Sequence, residues 1–468
     1  MQTHTRRVAR RIVPAIGALA LAALPLLTPI QRASAQSGDS ITRLGDLYAM
    51  VQRDNPKVTA ARSLVRAAEA RIPGAKRPPD PQLQFGFMNY TLPDLRPMEL
   101  IGMPQLQLMQ MLPLGGKLSL AGRVAGAQAA ATGERVRDVL WELRSQTAMA
   151  FYDLYATDRQ LEVARETLRL LQDIARTAES MYRVGEGRQA DVLRAQVEIA
   201  RMAEDTLRMQ AMRQTMAARL NALLNRDVAN YVATPALPAF PDSAPARSWL
   251  DSLGTSGRPM IRAGLEDVRA ADASVTLARR ELLPDLQVGV QYGRARMLSS
   301  MDASGAVMPG NTENMGSVMI GASIPIFARD RQLQMRNEAE AMKAMAEADV
   351  ASMRAETRGR IGEAYADLMR ARKLARLYRS TVLPQAEATV ASALSAYRVG
   401  TVDFMTLLDD RMTVNRYRQE LLTLEADEGK AWAELEMLTA RELIDANSIA
   451  AATTAPNLTG RPVTRGNP

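Results

Sequence analysis

The sequence predicts a mainly α-helical fold built as a tandem duplication, with two pairs of β-strands set between long helices. Three observations predict it. Five short blocks of sequence recur in the same order 203 to 215 residues further along the chain. Uncharged residues keep a spacing of three and four over long stretches without proline, which indicates helices. Four shorter segments alternate apolar and polar residues, which is typical of strands with one apolar face.

The composition excludes most catalytic chemistry. The chain has 468 residues, of which 47% are apolar and 24% charged, as in a folded protein with a large core. It contains no cysteine, and its only histidine, His4, lies in the N-terminal segment that we expect to be removed, as argued below. Thiolate zinc sites, cysteine nucleophiles, Ser-His-Asp triads and histidine-ligated haem are therefore excluded. The carboxylates form no acid-base constellation, so a hydrolase lacks support. We expect neither an enzyme nor a cofactor.

The N-terminal segment predicts export. Four arginines precede an apolar run from Ile12 to Ile30, and Ala33-Ser34-Ala35 gives the small-x-small pattern of a cleavage site. We expect residues 1–35 to be a signal peptide; the alternative is a transmembrane anchor, against which two prolines in the run argue. Removal of this segment lowers the formal net charge from +8 to +3, because it holds five arginines and no acid. The high isoelectric point therefore gives no reason to expect nucleic acid as a partner.

The duplication fixes the domain organisation. The blocks at 55–56, 67–70, 81–86, 112–117 and 182–193 return at 258–259, 270–273, 284–289, 324–329 and 397–408. We therefore predict a first repeat over 36–228 and a second repeat over 258–446. Residues 229–257, which hold four prolines, form a linker or equatorial region between them, and residues 447–468 form a flexible tail.

Each repeat reads as helix, two strands, long helix, turn and helix. The predicted strands cover about 82–90 and 105–112 in the first repeat and about 285–297 and 315–324 in the second. The alternation is clearest in the second repeat, where Leu286, Val288 and Val290 alternate with glutamine and glycine.

The long helices carry a heptad pattern. A helix from about 117 to 184 would be ~100 Å long at about 1.5 Å per residue. Uncharged residues line one seam of it from Leu140 to Tyr182, and the seam resumes at Val192 after Gly185. Because a 3.5-residue repeat makes helices wind around their neighbours, we expect an α-helical coiled coil.

Four strands with apolar faces in an exported chain raise a problem of closure. In lipid every strand edge must be paired, and single-chain barrels need about eight strands or more. Four strands per chain therefore predict oligomerisation into a shared membrane barrel, with the helices projecting away from it. Three chains would supply about twelve strands, enough for an open lumen. The alternative is a soluble coiled-coil protein whose strands form a small covering sheet.

These residues resemble TolC-type outer-membrane efflux channels, and more closely their heavy-metal and copper efflux branch. The resemblance rests on the Asn55-Pro56 and Arg258-Pro259 helix starts, on residues 110–117, and on two Tyr-Arg-Val-Gly turns at 182–185 and 397–400. It implies a homotrimer with a twelve-stranded barrel in outer-membrane lipid and a periplasmic helical tunnel. It also implies two partners, a periplasmic adaptor and an inner-membrane pump of the RND type.

The two turns are the first candidate site. In similar channels such turns face the adaptor, so the resemblance implies docking through Arg183, Val184 and Gly185 and through Arg398, Val399 and Gly400. The glycines also have a purely structural reading, because a helix commonly ends on a left-handed glycine. Both readings can hold together.

Acidic residues after the turns are the second candidate site. The resemblance places Asp191 and Asp409 at the periplasmic aperture, and three copies of Asp409, with Asp403 and Asp410, would form a ring that favours cations. Thr406 stands where some relatives carry a further acid, and Val402 where some carry an arginine. The simpler alternative is that Asp191 and Asp403 favour helix N-termini.

Methionine is the third feature. Ten of the 27 methionines crowd the two strand pairs, among them the candidate soft-metal path Met88, Met98, Met103, Met301 and Met308. Thioethers suit Cu(I), and methionine also fills lipid-facing or loosely packed apolar surfaces, so both interpretations stay open. We therefore expect a passive exit duct for metal ions or small toxic compounds. The alternative is a soluble periplasmic structural or adaptor protein, although an adaptor would carry only one helical hairpin.

Overall fold

The computed structural model describes residues 42–88, 90–91, 96–97, 103–296, 300–301, 304, 307–308 and 312–449. The predicted signal peptide and residues 450–468 of the predicted tail lie outside this part of the chain. None of the helices in the described part is both long enough and apolar enough to cross a bilayer.

Helices dominate the described chain. They are α1 (Leu44–Asp54), α2 (Pro56–Ala75), α3 (Lys117–Arg183), α4 (Gln189–Leu223), α5 (Arg247–Gly257), α6 (Pro259–Arg280), α7 (Gln332–Leu377), α8 (Leu383–Arg398) and α9 (Phe404–Thr439). The strands are β1 (Gln82–Met88), β2 (Tyr90–Thr91), β3 (Arg96–Pro97), β4 (Met103–Leu112), β5 (Asp285–Arg296), β6 (Ser300–Met301), β7 (Val307–Met308) and β8 (Thr312–Ser323).

The order of elements shows the duplication directly. Each copy runs short helix, proline-started helix, strand pair, long helix, turn and return helix. The copy begins earlier than the sequence pattern indicates, because α5 occupies the last eleven residues of the predicted linker and matches the eleven-residue α1 203 positions before it. The four prolines that suggested a linker all precede α5, and residues 224–246 connect the two copies without helix.

The two long helices have the same length. Helix α3 contains 67 residues, as the heptad pattern predicts. In the second copy, α7, a five-residue π-helical segment (Tyr378–Val382) and α8 follow one another without a break over 46, 5 and 16 residues, which together equal α3. Pro384, at the start of α8, lacks the backbone N–H that an α-helical ladder needs, and the π-helical segment lies directly before it.

The four long strands form one antiparallel sheet in the order β1-β4-β5-β8. The two copies therefore meet at the β4–β5 pair, where Leu106 faces Tyr292 and Leu108 faces Val290. The short strands extend the hairpins, with β2 paired to β3 and β6 paired to β7. Among the described strands, β1 and β8 each have one edge without a partner.

The register sorts the sheet into two chemically different faces. On one face Leu83, Leu108, Val290 and Val318 form a row across all four strands, and Val318 is 73% exposed. This apolar face is therefore not covered by the chain itself. The opposite face, here called the glutamine face, carries six glutamines and four methionines, namely Gln82, Gln84, Gln105, Gln107, Gln287, Gln291, Met109, Met111, Met315 and Met319.

Helices and sheet are joined by a buried lysine. The Lys117 side chain begins α3 and is only 5% exposed. Its ammonium donates to the carbonyl oxygen of Leu283 at 3.0 Å and to the carboxylate of Asp285 at 2.7 Å, and it pairs with Glu281 at 3.3 Å. The first long helix is thus tied to the strand entrance of the second copy by three acceptors.

Three apolar clusters hold the helices together. One packs α1, α3, α4 and α9 around Phe151 and Tyr152, and a second packs α5, α7 and α9 around Trp432. The third lies at the turn end of α3, α4, α8 and α9. The predicted heptad seam is buried or half-buried from Leu140 to Ala178, whereas its last member, Tyr182, is 45% exposed.

Candidate functional site

The two turns that join the long helices share one backbone geometry. Gly185 and Gly400 have φ angles of 82° and 74°, in the left-handed region that glycine adopts without strain. In both turns the next residue donates its N–H to the carbonyl five positions back, from Glu186 to Met181 at 2.9 Å and from Thr401 to Ala396 at 3.0 Å. This is the Schellman arrangement that ends a helix, so the structural reading of the glycines is confirmed.

The side chains of both turns are open to solvent. Val184 is 69% exposed and Val399 is 73% exposed, and Arg183 and Arg398 are exposed beside them. Each turn therefore presents an apolar side chain flanked by a cation. Bare valines at the end of a long hairpin offer an apolar contact to a partner.

The two turns differ in their tyrosines. Tyr397 is 5% exposed and packs against Phe404 with ring centroids 5.6 Å apart. Its counterpart Tyr182 is largely exposed, because Gln189 stands in the first repeat where Phe404 stands in the second. The hydroxyl of Tyr397 is buried without a hydrogen-bond partner among the described residues.

Acids of both repeats converge on this tyrosine. Burial raises the pKa of Tyr397, and the neighbouring charges of Asp191 and Asp403 raise it further. Asp191 lies in the first turn of α4 and is buried, whereas Asp403 lies just before α9 and is exposed. Asp403 makes no side-chain capping hydrogen bond, but both acids lie at a helix N-terminus, so the alternative in which they favour the helix dipole stays open.

The remaining aperture candidates lie along the first turns of α9. Thr406 and Asp409 are exposed, and Asp410 is half-buried. Within one chain the charges of Asp191 and Asp403 both act on Tyr397, whereas Asp409 is exposed to solvent. The acidic ring therefore stays a prediction.

Sequence reasoning missed an ionic cluster further along α9. Arg418 donates to Glu387 of α8 at 2.6 Å and to Glu166 of α3 at 3.2 Å, so it joins three helices. Arg411, two turns earlier, is buried with its Nε unpartnered in the described chain, and burial followed by the charge of Arg418 lowers its pKa. Partners 31 and 252 residues apart leave no local sequence signal.

The methionine candidates have unequal outcomes. Met98 lies outside the described residues. Met88 pairs with Met103 in the β1–β4 register, and Met301 and Met308 lie in the short strands, but their side chains are likewise outside the described part. The four methionines of the sheet with described side chains share the glutamine face rather than the apolar face, and the soft-metal path stays a prediction.

Each copy contributes two strands to one four-stranded sheet, followed by a long helix and a tight turn. This duplicated arrangement is the architecture of a channel subunit. The chain belongs to the outer membrane efflux protein family, whose model matches residues 47–226 and 254–441. Members of this family are passive channels, so the chain is not an enzyme. The TolC-type resemblance is confirmed.

Individual relatives agree with this assignment. The cobalt-zinc-cadmium resistance protein CzcC of Cupriavidus metallidurans is 24% identical over 375 residues, covering 78% of this chain and 82% of that protein. The outer membrane efflux protein BepC of Brucella suis is 24% identical over 384 residues, covering 77% of this chain and 78% of that protein. The solved structure of CusC superposes with a TM-score of 0.70 at 20% identity, covering 85% of this chain and 92% of that one. These matches do not favour a soluble coiled coil or an adaptor.

The unpartnered hydroxyl predicts an unequal response of the two turn tyrosines. Tyr397→Phe removes a buried group that makes no hydrogen bond, so we expect the second turn to become more stable by up to about 1 kcal/mol. Tyr182→Phe is the matched control and should change stability by less than about 0.5 kcal/mol, because that ring is largely exposed. Amide hydrogen exchange of residues 390–410 measures the effect. A loss of protection in Tyr397→Phe would instead show that the hydroxyl is bonded to Asp191 or Asp403.

Proposed function

We propose that this protein is the outer-membrane exit duct of a tripartite efflux system. Three identical chains close their sheets into a twelve-stranded barrel in outer-membrane lipid, and their helices form a tunnel in the periplasm. The turns dock a periplasmic adaptor, and an inner-membrane pump of the RND type supplies the energy. The cargo is metal ions or small toxic compounds.

The sheet carries this proposal. Its apolar face is uncovered, with Leu83 67% and Ile320 75% exposed, and both edge strands lack partners in the described chain. An open edge with an apolar face aggregates in water and is not tolerated in lipid. Pairing β1 of one chain with β8 of the next removes both edges, and three chains supply enough strands for an open lumen.

The absence of cysteine makes the closure directly testable. We expect oxidised Gln84→Cys/Ser317→Cys to form a disulfide-linked ladder that ends at three chains. Within one chain these positions are separated by β4 and β5, or roughly 14 Å at the usual strand spacing, which is too far for a disulfide. Every bond must therefore join two chains, and a closed ring stops the ladder at the trimer.

Because the register between two chains is set by the stagger of the barrel, Gln84→Cys is also combined with Met315→Cys and with Met319→Cys. Non-reducing electrophoresis of outer-membrane fractions gives the readout, and each single-cysteine variant is the control. Monomers in every combination, or a ladder that continues past three, would contradict the closed trimer.

The exposed valines predict the place of adaptor contact. We expect a photo-reactive benzoylphenylalanine at Val184 or Val399 to crosslink, in the native cell, to a periplasmic protein that contains a helical hairpin. Tyr231 is 74% exposed but lies in the segment between the repeats, so the same probe there is the matched control. Mass spectrometry identifies the adducts. Equal capture of that protein from Tyr231, or none from either turn, would refute docking through the turns.

The acidic aperture predicts cation selectivity. Three exposed copies of Asp409, with Asp403 and Asp410 beside them, would attract cations at the entrance of the tunnel. We expect Asp409→Asn to shift the reversal potential of the purified channel in a KCl gradient toward zero. Asp227→Asn, which changes an exposed acid shortly after the end of α4, should leave it unchanged. An unchanged potential in Asp409→Asn would remove this residue from the aperture.

A further inference from the structure

The glutamine face of the sheet is polar but carries no charge over its central rows. From the row of Met111, Gln287 and Gly321 to the row of Gln105, Gly293 and Met315, every described residue is glutamine, methionine, glycine or serine. The side-chain ligands that the described residues of these rows offer are therefore amides, thioethers and the hydroxyl of Ser317, all of them neutral. In the duct proposed above, this is the face that lines the lumen.

Among the described residues of the four-stranded sheet, the methionines all lie on the glutamine face. Met111 is 39% exposed, Met315 is 53% exposed and Met319 is 37% exposed. The described apolar face holds no methionine; it consists mainly of leucine, valine, isoleucine and aromatic residues, with Gln110, Ala322 and Arg294 among its other members. If methionine served here only as an apolar packing residue, it would be expected on the apolar face or in the core. Strand propensity does not explain it either, because strands favour β-branched and aromatic residues.

Two of these methionines converge over a glycine. Gly289 lies between Met109 on β4 and Met319 on β8 in the same row of the sheet. A β-carbon at position 289 would lie 3.2 Å from Cγ of Met109 and 3.5 Å from Cε of Met319. Both side chains therefore lean into the space that the glycine leaves, and the two atoms are no farther apart than the sum of those distances.

One thioether is also held in place. Nε2 of Gln107 donates to Sδ of Met109 at 2.8 Å, and Gln291 donates to Gln105 in the neighbouring rows. A thioether sulfur has two lone pairs, so this bond leaves one free for a ligand. The amide network thus orients Met109 toward Gly289 without consuming its capacity to bind.

We propose that Met109 and Met319 form, over Gly289, a thioether site for a soft monovalent cation, Cu(I) or Ag(I). Neutral sulfur ligands select soft ions, while hard divalent ions prefer carboxylates, which the described central rows of this face lack. Two neutral ligands also bind loosely enough for an ion to leave again, as conduction requires. The site rests on the proposed duct only for its place on the lumen, where three chains would set three copies around one ring.

Silver binding by the purified full-length protein tests the site. The chain has no thiol to compete, and a chloride-free buffer keeps Ag(I) in solution. We expect isothermal titration to show one Ag(I) per chain fewer in Met109→Leu/Met319→Leu than in the natural protein, with loss of the corresponding silver-sulfur signal in X-ray absorption. Leucine keeps the apolar bulk and removes only the sulfur.

Two further variants separate the site from general effects. Met335→Leu/Met342→Leu removes two exposed methionines of α7, which are 44% and 51% exposed. This control should bind the same number of Ag(I) ions per chain as the natural protein. Gly289→Val keeps all 27 methionines but fills the space between the two thioethers, so it should lose the same single ion. Equal loss in the α7 control, or undiminished binding in Gly289→Val or in the double leucine variant, would overturn the proposal.

Conductance in a planar bilayer separates this proposal from the duct itself. We expect Met109→Leu/Met319→Leu and Gly289→Val to form pores with the KCl conductance of the natural protein, which also shows that they fold. A natural protein that forms no pore refutes the duct, and the silver site is then judged by titration and absorption alone. Pores in all variants together with an unchanged silver count refute the site and leave the duct intact.

Discussion

Each repeat must carry the chain from the sheet to a turn over the same distance, and the rest of the structure depends on this equality. A mismatch of one helical turn, about 5.4 Å, would move one turn out of level with the other. The apolar cluster formed by Ala178, Ala195, Tyr397 and Phe404 from both repeats could not then pack. The helical stretch of the second copy also contains 67 residues, although Pro384 removes one backbone hydrogen bond from it. The change in hydrogen bonding is confined to the π-helical segment directly before that proline.

The sheet gives the opposite end of these helices two separate environments. Its apolar face has the exposed leucine, valine and isoleucine side chains that lipid contacts require, and its other face has amides and thioethers. Lys117 connects the first long helix to the sheet. It is the first residue of α3, and its ammonium donates to Leu283 and Asp285 at the start of β5. Sheet and helices are therefore positioned together.

The regular spacing of apolar residues along the chain made most of the fold predictable. Alternation gave the strands to within a few residues, and the heptad spacing gave α3 within one residue of its end. Helix α5 was missed because eleven residues that follow four prolines show too little periodicity to indicate a helix. Its position, 203 residues after α1, is the signal that could have indicated it. At the turns, the sequence identified the exposed residues but not the burial of Tyr397, which depends on Phe404 seven residues later. Arg418 was out of reach, since its partners meet it only through packing.

The difference between the two tyrosines has a consequence for the stoichiometry of assembly. A trimer would present six turns, but they would be of two kinds that alternate around the ring, one stiffened by Tyr397 and Phe404 and one with Tyr182 open to solvent. Six identical adaptor subunits could occupy them only as quasi-equivalent binders, each adjusting to one of two surfaces. The duplication within the chain would thus give a threefold channel two kinds of turn, three copies of each, to which adaptor subunits could bind with different affinities.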